Sequence, residues 1–342
     1  MKSIVFFNNK GGVGKTTLAC NVVAYLNFNL GKRVLLVDAD PQCNATQAVL
    51  DDLTCEEIYA DNSLMKTLYS HVKPIEHGEP KIDGTVVPLR GELNRFRTDI
   101  IPGHPRLSMI EDQLSKAWGD LQGRQVGGYR VTNWCKQLLT AVDDKYDYVV
   151  FDVGPSLGAL NRSVILACDY IITPFGCDIF SLLGIKNISS WIAGWKQQYD
   201  RSVEDGLNDH PGILQTYPMV LDTSRKFRFI GYSVQQYVTR TFKTGRRPVK
   251  SYDQIMREIP ATTDATMAFL RAGGLSNSDL ELGHIPNLFS LVPMAQSAKS
   301  PIHMLNNGDG VIGSQYAQVA SYTRTLEAVC KKLLHNLEVA EG

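Results

Sequence analysis

The chain opens on a β-type run, Ser3-Ile4-Val5-Phe6-Phe7, followed by a glycine-rich loop. Leu18, Val22, Tyr25, Leu26 and Asn29 then recur at i, i+4, i+7 spacing, which predicts a helix from Thr16 to about Asn29 with Gly31 at its stop. Arg33 to Val37 is nearly all apolar, as a strand buried on both faces should be. Strand, loop, helix and strand within about 35 residues make a βαβ unit and hence a parallel sheet.

The alternation recurs along the chain. Strands are predicted at Thr98–Pro102, Tyr148–Phe151, Tyr170–Thr173, Phe229–Val238 and Phe289–Val292. Helices are predicted at Val131–Val142, Leu160–Cys168, Ile179 to about Trp195, and Tyr316–Leu337. The expected fold is α/β: a doubly wound, mostly parallel sheet of about seven or eight strands with helices on both faces. One domain over 1–342 is expected, with surface insertions near 73–95, 201–227 and 271–287, where Gly, Pro and charge gather.

Composition narrows the class. Of 342 residues, 44% are hydrophobic and 20% charged, which excludes a wholly disordered chain, a collagen and a coiled coil. Lys+Arg and Asp+Glu are both 35, so global charge steers the chain neither to nucleic acid nor to an acidic membrane; any such affinity needs a local patch. The seven cysteines form no Cys-x-x-Cys pair, which points to a reducing compartment rather than a disulfide framework or zinc ribbon. No apolar run reaches about 18 residues, and Ile4–Phe7 is too short for a signal peptide, so a cytoplasmic location is expected.

The strongest chemical signal is Lys10-Gly11-Gly12-Val13-Gly14-Lys15-Thr16-Thr17, set between a strand and a helix. Glycines let successive N–H groups turn toward one anion, and the helix N-terminus adds partial positive charge. Lys15 is expected to reach the β- and γ-phosphates of a nucleotide and Thr16 to ligate Mg²⁺. Asn9 stands where the ordinary pattern has glycine, and phosphate binding alone does not call for Lys10.

Lys10 to Thr17 resembles the deviant Walker A motif of the ParA/MinD family, in which the first lysine reaches across a dimer to the partner's nucleotide. Asp38-Ala39-Asp40-Pro41-Gln42-Cys43-Asn44-Ala45-Thr46 resembles the ParA switch I, and Tyr146 to Gly158 its Walker B strand and switch II. The resemblance implies ATP and Mg²⁺ as cofactors. It also implies a P-loop fold, an ATP-dependent sandwich homodimer, slow hydrolysis and a partner that stimulates it. In the implied roles Lys10, Lys15 and Asp40 are catalytic, with Asp40 positioning the attacking water. Thr16, Asp38 and Asp152 serve the metal. Asp38 as the critical carboxylate stays an alternative. Asp147 reads as a surface turn residue.

Family adenine contacts come partly from the end of the late strand, which makes Gln235 and Gln236 candidates; Pro293 is a candidate flank on the other side. Residues 225–250 carry Arg225, Lys226, Arg228, Arg240, Lys243, Arg246, Arg247 and Lys250 with no acidic residue. This stretch is either a solvated face or a patch for nonspecific DNA, with Arg240, Lys243, Arg246, Arg247 and Lys250 as contacts; the resemblance favours DNA and a nucleoid-associated protein. Val292-Pro293-Met294 departs from the family's Pro-Arg after the last strand. Histidines show no metal spacing, and Trp118, Trp134, Trp191 and Trp195 read as core.

The function expected is partition or positioning of plasmid, chromosome or other cargo, with a ParB-like or other adaptor. A redox relative would need closely placed cysteines, and Cys168 and Cys177 lie in no cluster motif. Membrane-site selection would need a basic C-terminal helix, and His335 to Gly342 carry two glutamates and no lysine, so no membrane partner is expected. An ATP-switch module of transcription control or defence shares every motif and stays open.

Overall fold

The computed structural model describes residues 1–237, 239–242, 245–248 and 250–342, and it leaves out the side chains of 236, 239–242, 245–248, 250 and 251. The strands are β1 (Lys2–Phe6), β2 (Val34–Ala39), β3 (Asp99–Ile101), β4 (Tyr148–Val153), β5 (Tyr170–Gly176), β6 (Arg228–Tyr237), β7 (Thr239–Phe242), β8 (Gly245–Pro248) and β9 (Glu281–Pro286). The first helices are α1 (Lys15–Leu30), α2 (Asn44–Val49), α3 (Asp52–Tyr59), α4 (Leu68–Glu76), α5 (Glu111–Gln122), α6 (Val126–Thr132) and α7 (Trp134–Val142). They are followed by α8 (Ala159–Ala167), α9 (Ile179–Asp209), α10 (Lys250–Met267), α11 (Asn277–Leu280), α12 (Leu291–Ser297) and α13 (Gln315–Val339).

Seven strands form one parallel sheet in the order β3-β2-β4-β1-β5-β6-β9. β2 and β4 are buried along their whole length, which explains their unbroken apolar sequences. From β1 the chain runs one way to β2 and from β4 the other way to β5. Right-handed crossovers therefore put α1 and α8 on opposite faces, where α1 packs with α13 and α8 with α5 and α7. That reversal brings the loops after β1, β2 and β4 together at the carboxyl ends of the strands, where open α/β sheets bind ligands. β7 and β8 form a separate antiparallel hairpin.

Four expectations are corrected. Phe289–Val292 is not a strand: Phe289 has φ 45° and is exposed, and α12 begins at Leu291. The last strand is β9, inside the stretch 271–287 expected as an insertion; as an edge strand it buries only Leu282 and Ile285, too weak a pattern to read. The helix expected over Val131–Val142 is two helices that meet at Asn133. Buried Asn133 accepts hydrogen bonds from the Tyr199 hydroxyl at 3.0 Å and the Val220 amide at 2.9 Å, a tertiary demand that overrides helical continuity. Trp191 is half exposed rather than core, while Trp118, Trp134 and Trp195 are buried.

α9 extends to Asp209, so the stretch from 201 begins as helix. Leu89 pairs with Ile100 by reciprocal backbone hydrogen bonds of 2.8 and 2.9 Å, which fastens the 73–95 segment to the edge strand.

Candidate functional site

The loop after β1 is organised by Asn8, which sequence reading passed over. Its amide donates to the Pro174 carbonyl at the end of β5 (2.6 Å), and its Oδ1 accepts from the Lys10 amide (2.8 Å). Gly12 and Gly14 take the left-handed conformation at φ 74° and 79°, which a Cβ would strain. Gly14 caps α1 without a side chain, so the first-turn N–H groups face the loop.

Lys15 and Thr16 then project onto β4. Lys15 Nζ lies 3.0 Å from Asp152 Oδ1, and the Thr16 hydroxyl donates to Asp152 Oδ2 at 2.7 Å. Lys15 and Asp152 are both buried, so the lysine offsets a carboxylate with no access to water. Gly11, Gly12, Val13, Gly14, Thr17 and Asp40 line the adjoining cavity of about 640 Å³.

The two switch I carboxylates differ. Asp38 faces Asp152 across the β2–β4 ladder and is fully buried. Its Oδ2 accepts from both the amide and the hydroxyl of Thr46 at 2.7 Å, so Thr46, a residue sequence reading did not single out, holds it in place. Burial, then the charge of Asp152, raise its carboxyl to about 7. Asp40 lines the cavity, and its Oδ1 accepts from the Gln42 amide at 2.9 Å. A Cβ at Gly154, in the loop after β4, would come 3.1 Å from that oxygen. Asp40 is thus the switch I carboxylate that faces the open space, and Asp38 is committed to Thr46 behind it.

Lys10 stands at the rim, partly exposed, with its ammonium paired to Asp178. Asp178 also caps α9, accepting from the Ser181 amide at 3.2 Å. Burial pushes the Asp178 carboxyl up, but Lys10 and Ser181 outweigh it and hold the group below its usual range.

A second cavity of about 280 Å³ adjoins the first at Gly14 and Thr17 and is lined by Gln235, Pro286, Asn287, Phe289, Pro293 and Tyr322. Gln235 Nε2 donates to Ser233 Oγ at 2.8 Å. Gln235 and Pro293 are therefore brought together as expected candidates for a base, while the side chain of Gln236 lies outside the described residues. Pro286 ends the last strand and Asn287 follows it, so the pair to set against the family's Pro-Arg is Pro286-Asn287 rather than Pro293-Met294, and the arginine is absent there too.

The basic stretch divides. Lys226 pairs with Asp169 at 2.5 Å, and Arg228 donates to the Ala340 carbonyl and the Tyr170 hydroxyl, each at 2.7 Å. These sit at the start of β6, while Arg240, Arg246 and Arg247 lie on the β7–β8 hairpin beyond its far end, with Arg240 opposite Arg247. Lys250 opens α10. Lys243 and the side chains of the other four lie outside the described residues. Asp147 is a partly exposed turn residue that accepts from the Arg33 amide at 2.8 Å.

The oxygen donors of Thr16 and Asp152 beside Lys15 suit a magnesium-bound triphosphate, and the open space at Gly11 and Gly12, with no atom within 4 Å of a built Cβ, suits its phosphates. A glycine loop between the first strand and first helix of a parallel sheet, with an aspartate at the end of the neighbouring strand, defines a P-loop nucleoside triphosphatase. A family model described as an AAA domain matches residues 1–204. The chain is 28% identical over 243 residues to the chromosome-partitioning ATPase Soj of Treponema pallidum, covering 70% of this chain and 79% of that one. It is 30% identical over 241 residues to the virulence plasmid ParA family protein pGP5-D of Chlamydia psittaci, covering 70% and 82%. The solved structure of protein DIP2308 from Corynebacterium diphtheriae superposes with a TM-score of 0.73 at 38% identity, covering 87% of this chain and 97% of that one. The chain belongs to the ParA/MinD family of deviant Walker A ATPases.

Proposed function

We propose that the chain is a ParA-like ATPase whose ATP-bound form is a sandwich homodimer that binds DNA without sequence preference. A ParB-like or other adaptor stimulates slow hydrolysis and resets it, and the cycle serves partition or positioning of plasmid, chromosome or other cargo. Residues 1–342 act as one unit in this reading, in the cytoplasm and on the nucleoid.

The observation that carries the reading is Lys10. It stands on the phosphate loop, yet its ammonium turns to Asp178 at the rim rather than into the cradle filled by Lys15. A lysine so placed is available to a nucleotide on a facing copy. Bound Mg²⁺ supplies charge neutralisation of the phosphates, with Thr16 and Asp152 to hold it and Asp38 behind them. Lys15 gives up Asp152 for the β- and γ-phosphates. Asp40 orients the attacking water, which its place on the cavity wall supports. Gln235 and Pro293 flank the base, and DNA phosphates meet the basic stretch of Arg240, Lys243, Arg246, Arg247 and Lys250, three of which lie on the β7–β8 hairpin.

The test is anisotropy of a labelled random-sequence duplex titrated with the chain in ATP and in ADP, at two salt concentrations. Salt-sensitive binding with ATP and little with ADP is expected; equal binding in both nucleotides contradicts the switch.

A further inference from the structure

The loop after β4 is held from a distance by a residue outside every nucleotide motif. Glu111 is the first residue of α5, and its carboxylate reaches the N-terminus of α8. Oε1 accepts from the Ala159 amide, and Oε2 accepts from the Leu160 amide at 3.0 Å. α8 has no cap of its own, because its N-cap is Gly158. That glycine is required by the visitor: a Cβ there would lie 2.2 Å from Glu111 Oε1. A carboxylate at this end also meets the positive pole of the helix.

The pin continues toward the site. From the first turn of α8, Asn161 Nδ2 donates to the carbonyls of Gly154 (2.7 Å) and Ser156 (2.8 Å), which folds the loop 154–158 back on the helix. Gly154 in turn abuts Asp40. One turn along α8, Arg162 lies 4.1 Å over the Trp118 ring of α5, so the two helices are joined twice. Burial lowers the Arg162 guanidinium to about 10, with the Glu111 charge opposing it. The other end of the segment leading into α5 is fixed as well: the Gly103 amide donates to Thr46 Oγ1 at 2.8 Å, and that hydroxyl donates to Asp38. Residues 103–111 thus touch the switch I carboxylate at one end and the start of α8 at the other.

We propose that Glu111 is a positioning residue for ATP hydrolysis, which clamps the α8 N-terminus so that the loop after Asp152 is held against Asp40. This rests on the function proposed above. Glu111 touches neither the phosphate loop nor the cavity, so its loss is felt in the geometry of the reacting water and not in nucleotide binding.

Two measurements on the full chain test it. Hydrogen exchange of the Ala159 and Leu160 amides without nucleotide should speed up about tenfold or more in Glu111→Ala, since the carboxylate that accepts from both is gone, while the Thr46 amide stays protected. Steady-state phosphate release should show kcat lowered about tenfold to a hundredfold, with KM for ATP within about twofold of wild type. Glu111→Gln, which keeps an acceptor, should recover most of the rate. Gly158→Ala, which displaces the carboxylate from the other side, should mimic the loss. Asp112→Ala, an exposed neighbour in the same first turn, should match wild type. Unchanged exchange in Glu111→Ala overturns the clamp. Faster exchange with unchanged kcat overturns the positioning role, as does a rise of KM in step with the fall of kcat. A wild-type chain that releases no phosphate contradicts the function reading instead, and the exchange experiment still decides whether Glu111 holds α8.

Discussion

At the phosphate end of the cleft, Lys15, Thr16 and Asp152 meet within 3.0 Å around main chain shaped by two left-handed glycines. At the end proposed for the base, Gln235 from β6, Pro286 at the end of β9, Asn287 after it, Pro293 from α12 and Tyr322 from α13 close a pocket largely by packing. One end is fixed by charge and backbone conformation. The other depends on a segment, 287–305, laid across α1. Its hold on α1 includes the Ile302 amide donating to Asn21 Oδ1 at 2.8 Å and the His303 ring set edge-on to Tyr25 at 5.5 Å. Ends built in such different ways should fail in different ways.

The largest contrast is expected from Lys15→Ala. It removes the proposed phosphate ligand and also leaves Asp152 buried without its lysine, so phosphate release should fall about a thousandfold. A variant that hydrolyses ATP within tenfold of wild type would remove the phosphate end from the chemistry.

Acid should act on the base end through His303. Burial without a partner on either ring nitrogen lowers its imidazole to about 4. A folded value below the unfolded 6.5 means the neutral ring stabilises the fold fully above pH 6.5, and that stability is lost as pH falls toward 4. Relative to His303→Leu, the wild type should lose at most about 3 kcal/mol between pH 6.5 and 4, read from urea unfolding at each pH. Parallel curves for the two chains would show that the ring does not carry this load.

The smallest effect is expected from Gln235→Leu. Loss of one amide at the base should weaken ATP about tenfold in calorimetric titration, with kcat at saturation near wild type. A loss as large as that of Lys15→Ala would erase the difference between the two ends.

What sequence could reveal follows the same divide. The phosphate loop is local: eight consecutive residues set its turns, its charge and its helix start, so they announce their chemistry in any context. β2 and β4 are buried on both faces and read as unbroken apolar runs. β9 buries two side chains and therefore hides among Gly, His and Pro, and with it went two residues that line the cavity proposed for the base, Pro286 and Asn287. The residues that hold the site were invisible for another reason. Asn8 finds its partner 166 positions away, Glu111 at 48, and Asp178 meets Lys10 at 168, and no periodicity records such meetings. Lys226 and Arg228 show the converse: a basic stretch continuous in sequence is parted in space by the length of β6.

In the proposed cycle Lys10 leaves Asp178 for a facing copy of the chain. Sedimentation velocity of the wild type and Lys10→Ala, each with a nonhydrolysable ATP analogue and with ADP, tests this most directly. The wild type should be a dimer with the analogue and a monomer with ADP, and the Lys10→Ala chain should bind the analogue yet stay monomeric. A Lys10→Ala chain that dimerises as the wild type does, or a wild type that stays monomeric with the analogue bound, would contradict it.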